Sequence, residues 1–70
     1  MTWRVAHLTF KGGHAAQDWS TDELATAEVD RLKARDDVVC VIKVDPDGLM
    51  RLRWDSDRGE HWARGFEPLF

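Results

Sequence analysis

The chain contains a single cysteine, Cys40, so it cannot form an internal disulfide bond. Small secreted domains usually depend on disulfides because their cores are small. The cysteine content therefore predicts a reducing compartment, and we expect a cytoplasmic protein. Its stability must come from good packing, from an oligomer or from a partner. Four tryptophans and three phenylalanines favour packing, because each aromatic side chain buries a large area.

Long apolar runs are also missing, and no stretch approaches the length that crosses a bilayer. The start, Met1-Thr2-Trp3-Arg4, lacks the charged-then-apolar layout of a signal peptide. We therefore expect no membrane association and no targeting segment. The sequence has no internal repeat, low-complexity tract or flexible linker, and its 70 residues predict one domain spanning residues 1–70.

Motifs for catalysis or metal binding are missing as well. The three histidines, His7, His14 and His61, do not combine with Cys40 in any metal-ligand spacing such as C-x-x-C. Cys40 lies in a run of β-branched residues, which predicts a buried and unreactive thiol. We expect no cofactor, no metal and no enzymatic activity.

The sequence predicts a strand at residues 2–10, which is rich in β-branched and aromatic residues and apolar on both faces. A helix is predicted at residues 21–35, with Ser20 as N-cap and Glu23 completing a capping box. Trp19 and Leu24 occupy the positions that would form a hydrophobic staple around that cap. Ala25, Val29 and Leu32 form the buried stripe of this helix.

A hairpin is predicted at residues 37–45 and 49–55, because Asp45-Pro46-Asp47-Gly48 has strong turn chemistry. A three-residue loop with Gly48 at positive φ pairs Val44 with Met50. The same register pairs Ile42 with Leu52 and Cys40 with Trp54, so that all six residues share one face. The other face then carries Val39, Val41, Lys43, Arg51 and Arg53.

These elements predict an α+β fold with a three-stranded, mostly antiparallel sheet in β-α-β-β order and the helix packed on one face. The first strand lies either beside strand 37–45 and parallel to it, or beside strand 49–55 and antiparallel to it. We favour the second arrangement, because antiparallel pairs are commoner. The C-terminal tail, residues 62–70, is expected to pack down on the second sheet face, with Phe66 or Phe70 against Val39 and Val41.

Two acidic groups are candidate contacts for a basic partner. Asp22, Glu23 and Asp30 belong to the helix, and Asp55, Asp57 and Glu60 belong to the turn after the hairpin. Trp3 and Trp62 are candidate aromatic anchors. The alternative is a nucleic-acid-binding domain that uses Lys43, Arg51 and Arg53 on one sheet face. The net charge of −3 disfavours direct nucleic-acid binding, because such domains are usually basic.

In size, acidity and strand–helix–strand–strand order, the chain resembles the small anti-CRISPR proteins of phages and mobile elements. That group shares no motif, so the resemblance identifies no functional residue. It implies a non-enzymatic inhibitor, encoded by a phage or mobile element and acting in the host cytoplasm, that binds a CRISPR effector complex. Such proteins block target-DNA binding or nuclease recruitment, and we expect this one to block target-DNA binding. The expected partner is a host protein or protein complex, and the expected oligomeric state is a monomer or a weak homodimer.

Overall fold

The computed structural model of the protein describes residues 1–57 and 59–61. These residues form five strands and one helix, in the order ββαβββ. Along the chain they are β1 (Trp3–Thr9), β2 (His14–Trp19), α1 (Asp22–Lys33), β3 (Val38–Val44), β4 (Met50–Asp55) and β5 (Gly59–His61). The sheet order is β2-β1-β3-β4-β5, and every neighbouring pair is antiparallel. The α+β class is confirmed, but the three-stranded sheet is wrong.

The strand β2 is the main reason for that difference. Residues His14–Trp19 are mostly exposed, include no β-branched residue and are small or polar except for Trp19, so the sequence does not mark them as a strand. They form one because Gly12, at φ +88°, turns the chain back onto β1. This extra strand reverses the chain direction before the helix. As a result β1 lies beside β3 and antiparallel to it, and neither arrangement that we considered for the first strand is correct.

The helix α1 begins at Asp22, one residue later than predicted. Thr21, not Ser20, is the N-cap, and its hydroxyl accepts a hydrogen bond from the Leu24 N–H at 3.2 Å. The predicted stripe is confirmed, because Ala25, Val29 and Leu32 are buried against the sheet. The helix packs mainly on β3 and β1, so it covers one face of the sheet.

The sheet is apolar on both faces. On the helix side, Val5, Val38 and Val41 join the helical stripe in one cluster, with partly buried tryptophans around it. On the opposite side, a second cluster is buried although the helix does not lie over it. Its members are Ala6, Cys40, Ile42, Val44 and Met50, with Leu8 and Val39 packed against them.

The predicted register of the β3–β4 hairpin is correct only next to the turn. Gly48 has a φ of +86°, and Val44 pairs with Met50, as predicted. A β-bulge then inserts one extra residue, Arg51, into β4. Because side chains alternate with a period of two, that residue moves Leu52 and Trp54 to the helix face. Ile42 therefore pairs with Arg53, and Cys40 pairs with Asp55.

The tail prediction is partly wrong and partly outside the described residues. Val41 is buried on the helix side of the sheet, so it cannot be covered from the second face. Val39 does lie with the second cluster. The residues expected to cover it, Phe66 and Phe70, belong to the segment 62–70, which lies outside the described residues. That part stays a prediction.

Candidate functional site

The three acids of the first candidate group, Asp22, Glu23 and Asp30, differ in what surrounds them. Asp22 Oδ1 lies 2.7 Å from the Lys43 Nζ, which also hydrogen-bonds the Thr26 hydroxyl at 3.1 Å. The hydrogen bond from Lys43 holds the pKa of Asp22 below its usual value. The Lys43 ammonium lies 5.3 Å from the centroid of the Trp3 ring, within the range of a cation–π contact. Asp22 is therefore already engaged by a cation of its own chain.

Trp3, like Asp22, already makes contacts within its own chain. It is partly buried and packs against the helix-side cluster, in addition to its contact with Lys43. A tryptophan in this position stabilises the junction of helix and sheet. Trp3 as an anchor for a partner stays a prediction. Trp62 lies outside the described residues.

The outer face of the helix is the part of the first acidic group that remains open. Glu23 is exposed, and within residues 1–57 and 59–61 no ion pair involves it. The Asp30 side chain is 69% exposed, and its one ion-pair contact among the described residues is a loose one, 3.8 Å, with Lys33. Helical spacing places Glu23 and Asp30 two turns apart on the side away from the sheet. Both carboxylates can therefore meet a partner without losing a strong internal bond.

Leu24 is the residue of this surface that the sequence analysis missed. It was expected to form the staple around the N-cap, yet it is 47% exposed. A signal was available, because Leu24 falls outside the spacing of the stripe formed by Ala25, Val29 and Leu32. Leu24 therefore adds an apolar side chain beside the acidic helix surface. We define the outer helix face as Glu23, Leu24, Ala27 and Asp30.

The second acidic group does not join the first. Asp55 pairs with Cys40 on the face opposite the helix, so Asp55 lies on the other side of the sheet from the helical acids. Its carboxylate accepts hydrogen bonds from the Arg53 guanidinium at 3.1 and 3.4 Å, and both side chains are largely buried. Asp57 is exposed. The side chain of Glu60 is not among those described.

A groove of about 540 Å³ lies beside the Arg53–Asp55 pair. Its lining consists of Leu8, Val39, Cys40, Arg53, Asp55, Ser56 and Asp57. Burial raises the pKa of the Cys40 thiol to about 11, with Asp55 adding to the effect and Arg53 opposing it. The thiol is therefore protonated at neutral pH and is a poor nucleophile. The groove offers an apolar floor and a charged rim, without an activated group.

The basic residues of the alternative function do not share a sheet face. Lys43 points to the helix, whereas Arg53 lies opposite Ile42 on the other side. Arg51 occupies the bulge, and its Nε lies 2.6 Å from the buried carboxylate of Asp45. The bulge is the physical reason for the separation, because it reverses the side-chain alternation along β4. The prediction of one basic face is wrong, and each of these three cations already binds an acid.

The described part of the chain holds no group of three side chains placed to bind a metal ion, and no helix in it is long and apolar enough to cross a membrane. The arrangement that remains is a surface for contact: two exposed carboxylates, Glu23 and Asp30, with the exposed Leu24 on one flank of the outer helix face. Neither a protein-family model, a curated protein sequence nor a solved structure matches this chain.

Proposed function

We propose that the protein acts by stoichiometric binding to another protein, without catalysis, through its outer helix face. The observation that carries this proposal is the exposure of Leu24, at 47%, beside the exposed carboxylate of Glu23, which forms no ion pair with any described residue. An apolar side chain that enters a pocket supplies affinity, and charges around it supply orientation and association rate. The complementary surface on the partner is an apolar pocket edged by Lys or Arg.

For the identity of the partner, the proposal extends to a host CRISPR effector complex in the cytoplasm of the host cell. This extension rests on the resemblance to anti-CRISPR proteins alone. An effector binds DNA through surfaces rich in Lys and Arg. Carboxylates that form charge-assisted hydrogen bonds to those cations exclude the nucleic acid from the same surface. Two exposed acids contribute little each, so the affinity depends on Leu24 as well.

The test is a set of substitutions on the outer helix face, measured as binding to the purified effector and as inhibition of its DNA binding. Leu24→Ala should weaken binding by about tenfold or more, as expected for an anchor residue. Glu23→Lys with Asp30→Lys should slow association and weaken its dependence on salt. The matched control is Asp36→Lys with Asp47→Lys, two exposed acids elsewhere whose replacement changes the net charge equally.

Circular dichroism should show that all of these variants remain folded. If the outer-face variants inhibit the effector as well as the control does, the outer helix face is not the contact. If no effector binds but a basic protein is captured through the same residues, the resemblance is wrong and the binding surface stands. Tight binding to nucleic acid that Arg51→Glu and Arg53→Glu abolish would favour the alternative function.

A further inference from the structure

The strand β2 forms one edge of the sheet, and it has few of the features that usually protect an edge. Five of its six residues are exposed, and it contains no proline and no lysine. Its pairing with β1 runs without a bulge from Leu8–His14 to Trp3–Trp19. Natural proteins normally interrupt or charge such an edge, because its free N–H and C=O groups can pair with another strand.

The hydrogen bonds of the first turn show which groups of β2 are free. The Thr9 N–H donates to the Gly13 carbonyl at 2.7 Å, so Gly13 faces β1. Because successive residues of a strand point their backbone groups to opposite sides, Ala15 and Gln17 also face β1. His14, Ala16 and Asp18 therefore direct their N–H and C=O groups toward the open edge.

The side chains of these three residues project from the sheet face opposite the helix. His14, Ala16 and Asp18 pair with Leu8, Ala6 and Arg4, which lie on that face. The Asp18 carboxylate accepts hydrogen bonds from Arg4 Nε at 2.9 Å and from Arg4 Nη2 at 3.4 Å, and both side chains remain about half exposed. Because each carboxylate oxygen can accept more than one hydrogen bond, Asp18 remains accessible to a further donor.

We infer that β2 pairs with β2 of a second copy of this chain, antiparallel and centred on Ala16, so that two sheets join into one. In this register His14 lies opposite Asp18 of the second copy, and by symmetry the reverse pair forms as well. Ala16 meets its own counterpart at the two-fold axis, where a small side chain gives no clash. Each of the three outward residues donates one backbone hydrogen bond and accepts one.

The register is selected by complementarity. Shifting the centre to Gln17 would place Asp18 opposite Ala16 and leave His14 beyond the paired segment. The register centred on Ala16 uses all three outward residues and places an acid opposite a histidine on the same face, where cross-strand partners interact. Because six residues bury a small area, the dimer is weak and forms at protein concentrations of about 0.1–1 mM. The proposal is independent of the outer helix face.

Hydrogen exchange on the full chain tests this pairing residue by residue. The amides of His14, Ala16 and Asp18 should exchange more slowly as the protein concentration rises. The amides of Ala15 and Gln17, which bond to β1, should show no such dependence. If protection does not alternate in this way, β2 does not form the interface.

Sedimentation equilibrium of variants supplies the second test. Ala16→Pro removes an outward N–H, and Ala16→Lys places two like charges at the axis; each should raise the dissociation constant of the dimer at least about tenfold. Ala16→Thr keeps the N–H and should dimerise like the parent chain. His14→Asp should also weaken the dimer, since it faces Asp18. A monomeric parent at about 1 mM, or a dimer insensitive to these changes, would overturn the proposal.

Discussion

The hairpins β1–β2 and β3–β4 are closed by five-residue turns with matching hydrogen bonds. In the first, the Thr9 N–H donates to the Gly13 carbonyl at 2.7 Å, and the Thr9 carbonyl accepts from Gly12 at 3.0 Å. In the second, Asp45 makes the same two bonds, with Leu49 at 2.9 Å and with Gly48 at 3.0 Å. The fourth residue of each turn is a glycine, Gly12 or Gly48, and the two have nearly equal positive φ, +88° and +86°.

The two hairpins nevertheless occupy different places in the sheet. β3 is the central strand and is buried on both faces, whereas β2 is an exposed edge. The turn residues differ too: Thr9 is neutral, while Asp45 is a buried carboxylate that binds Arg51 and two backbone N–H groups. The comparison shows that a local turn sets the path of the chain, while position in the sheet sets how much each hairpin contributes to stability.

The largest difference in stability loss is expected between alanine substitutions of Ile42 in β3 and of Gln17 in β2. Ile42 is 1% exposed, so Ile42→Ala should lower the free energy of unfolding by about 2–5 kcal/mol. Gln17 is exposed, and Gln17→Ala should change it by less than about 0.5 kcal/mol. Urea denaturation measures both. Equal losses would show that the edge hairpin is as deeply integrated as the central one.

Replacing either turn glycine, Gly12 or Gly48, with valine should strain the backbone locally to the same degree. The loss in the free energy of unfolding should nevertheless differ between the two. A β-branched residue at positive φ costs about 1–3 kcal/mol, so Gly48→Val should destabilise the protein by that amount. Gly12→Val should cost less, because the edge strand β2 can detach locally and relieve the strain. Denaturation measures the global loss of stability in each variant, and hydrogen exchange detects local detachment of β2.

Asparagine at each glycine position is the matched control, since it tolerates positive φ better than valine does. The Asn variants should retain most of the parent's stability. If they lose as much as the Val variants, the loss does not come from β-branching at positive φ. Space is not limiting, because a Cβ at either position would meet no atom within 4 Å.

The next largest difference between the two turns should be in how stability depends on pH. Hydrogen bonds from the Leu49 N–H, and then from Arg51, hold the pKa of Asp45 below its usual value. A lowered folded-state pKa contributes stability above the unfolded value, near 3.9, and that contribution is lost as the pH falls below it. Asp45→Asn should therefore flatten the fall in stability between about pH 5 and pH 2. Thr9→Val, at the matching position, should leave the pH dependence unchanged; equal slopes for Asp45→Asn and the parent would contradict this.

The smallest change in stability is expected from breaking the ion pair that links β1 and β2. Arg4 and Asp18 are largely exposed, with side-chain exposures of 60% and 47%. Exposed pairs contribute little and are screened by salt. Arg4→Gln should leave the denaturation midpoint within experimental error at physiological salt. A clear drop that persists at 1 M salt would mean that this edge is held more firmly than its exposure indicates.

Most of the local structure could be predicted from the sequence, and the failures have identifiable causes. The Asp45–Gly48 turn and the buried helical stripe were correct because they depend on residues close in the chain. Gly12 occupies the same position in its turn as Gly48 does. It was a signal for a second hairpin, and the sequence analysis overlooked it. The bulge at Arg51 had no local signal, since Asp45 holds that side chain from the other side of the turn.

The candidate site was predicted less well than the fold. The sequence identified the exposed acids Glu23 and Asp30, because they lie away from the helical stripe. It could not show that Asp22 binds Lys43 or that Asp55 binds Arg53, since the first pair depends on helix–sheet packing and the second on the bulged register. For the same reason it placed Lys43, Arg51 and Arg53 on one face.

The sequence by itself determined the α+β class, the helix, the central hairpin and the burial of Cys40. These follow from periodicity and turn chemistry, which act over a few residues. Only the tertiary structure decided the strand order, the edge position of β2 and which charges remain open to a partner. Strand pairing joins residues far apart in the chain, and a single inserted residue reverses the side chains beyond it.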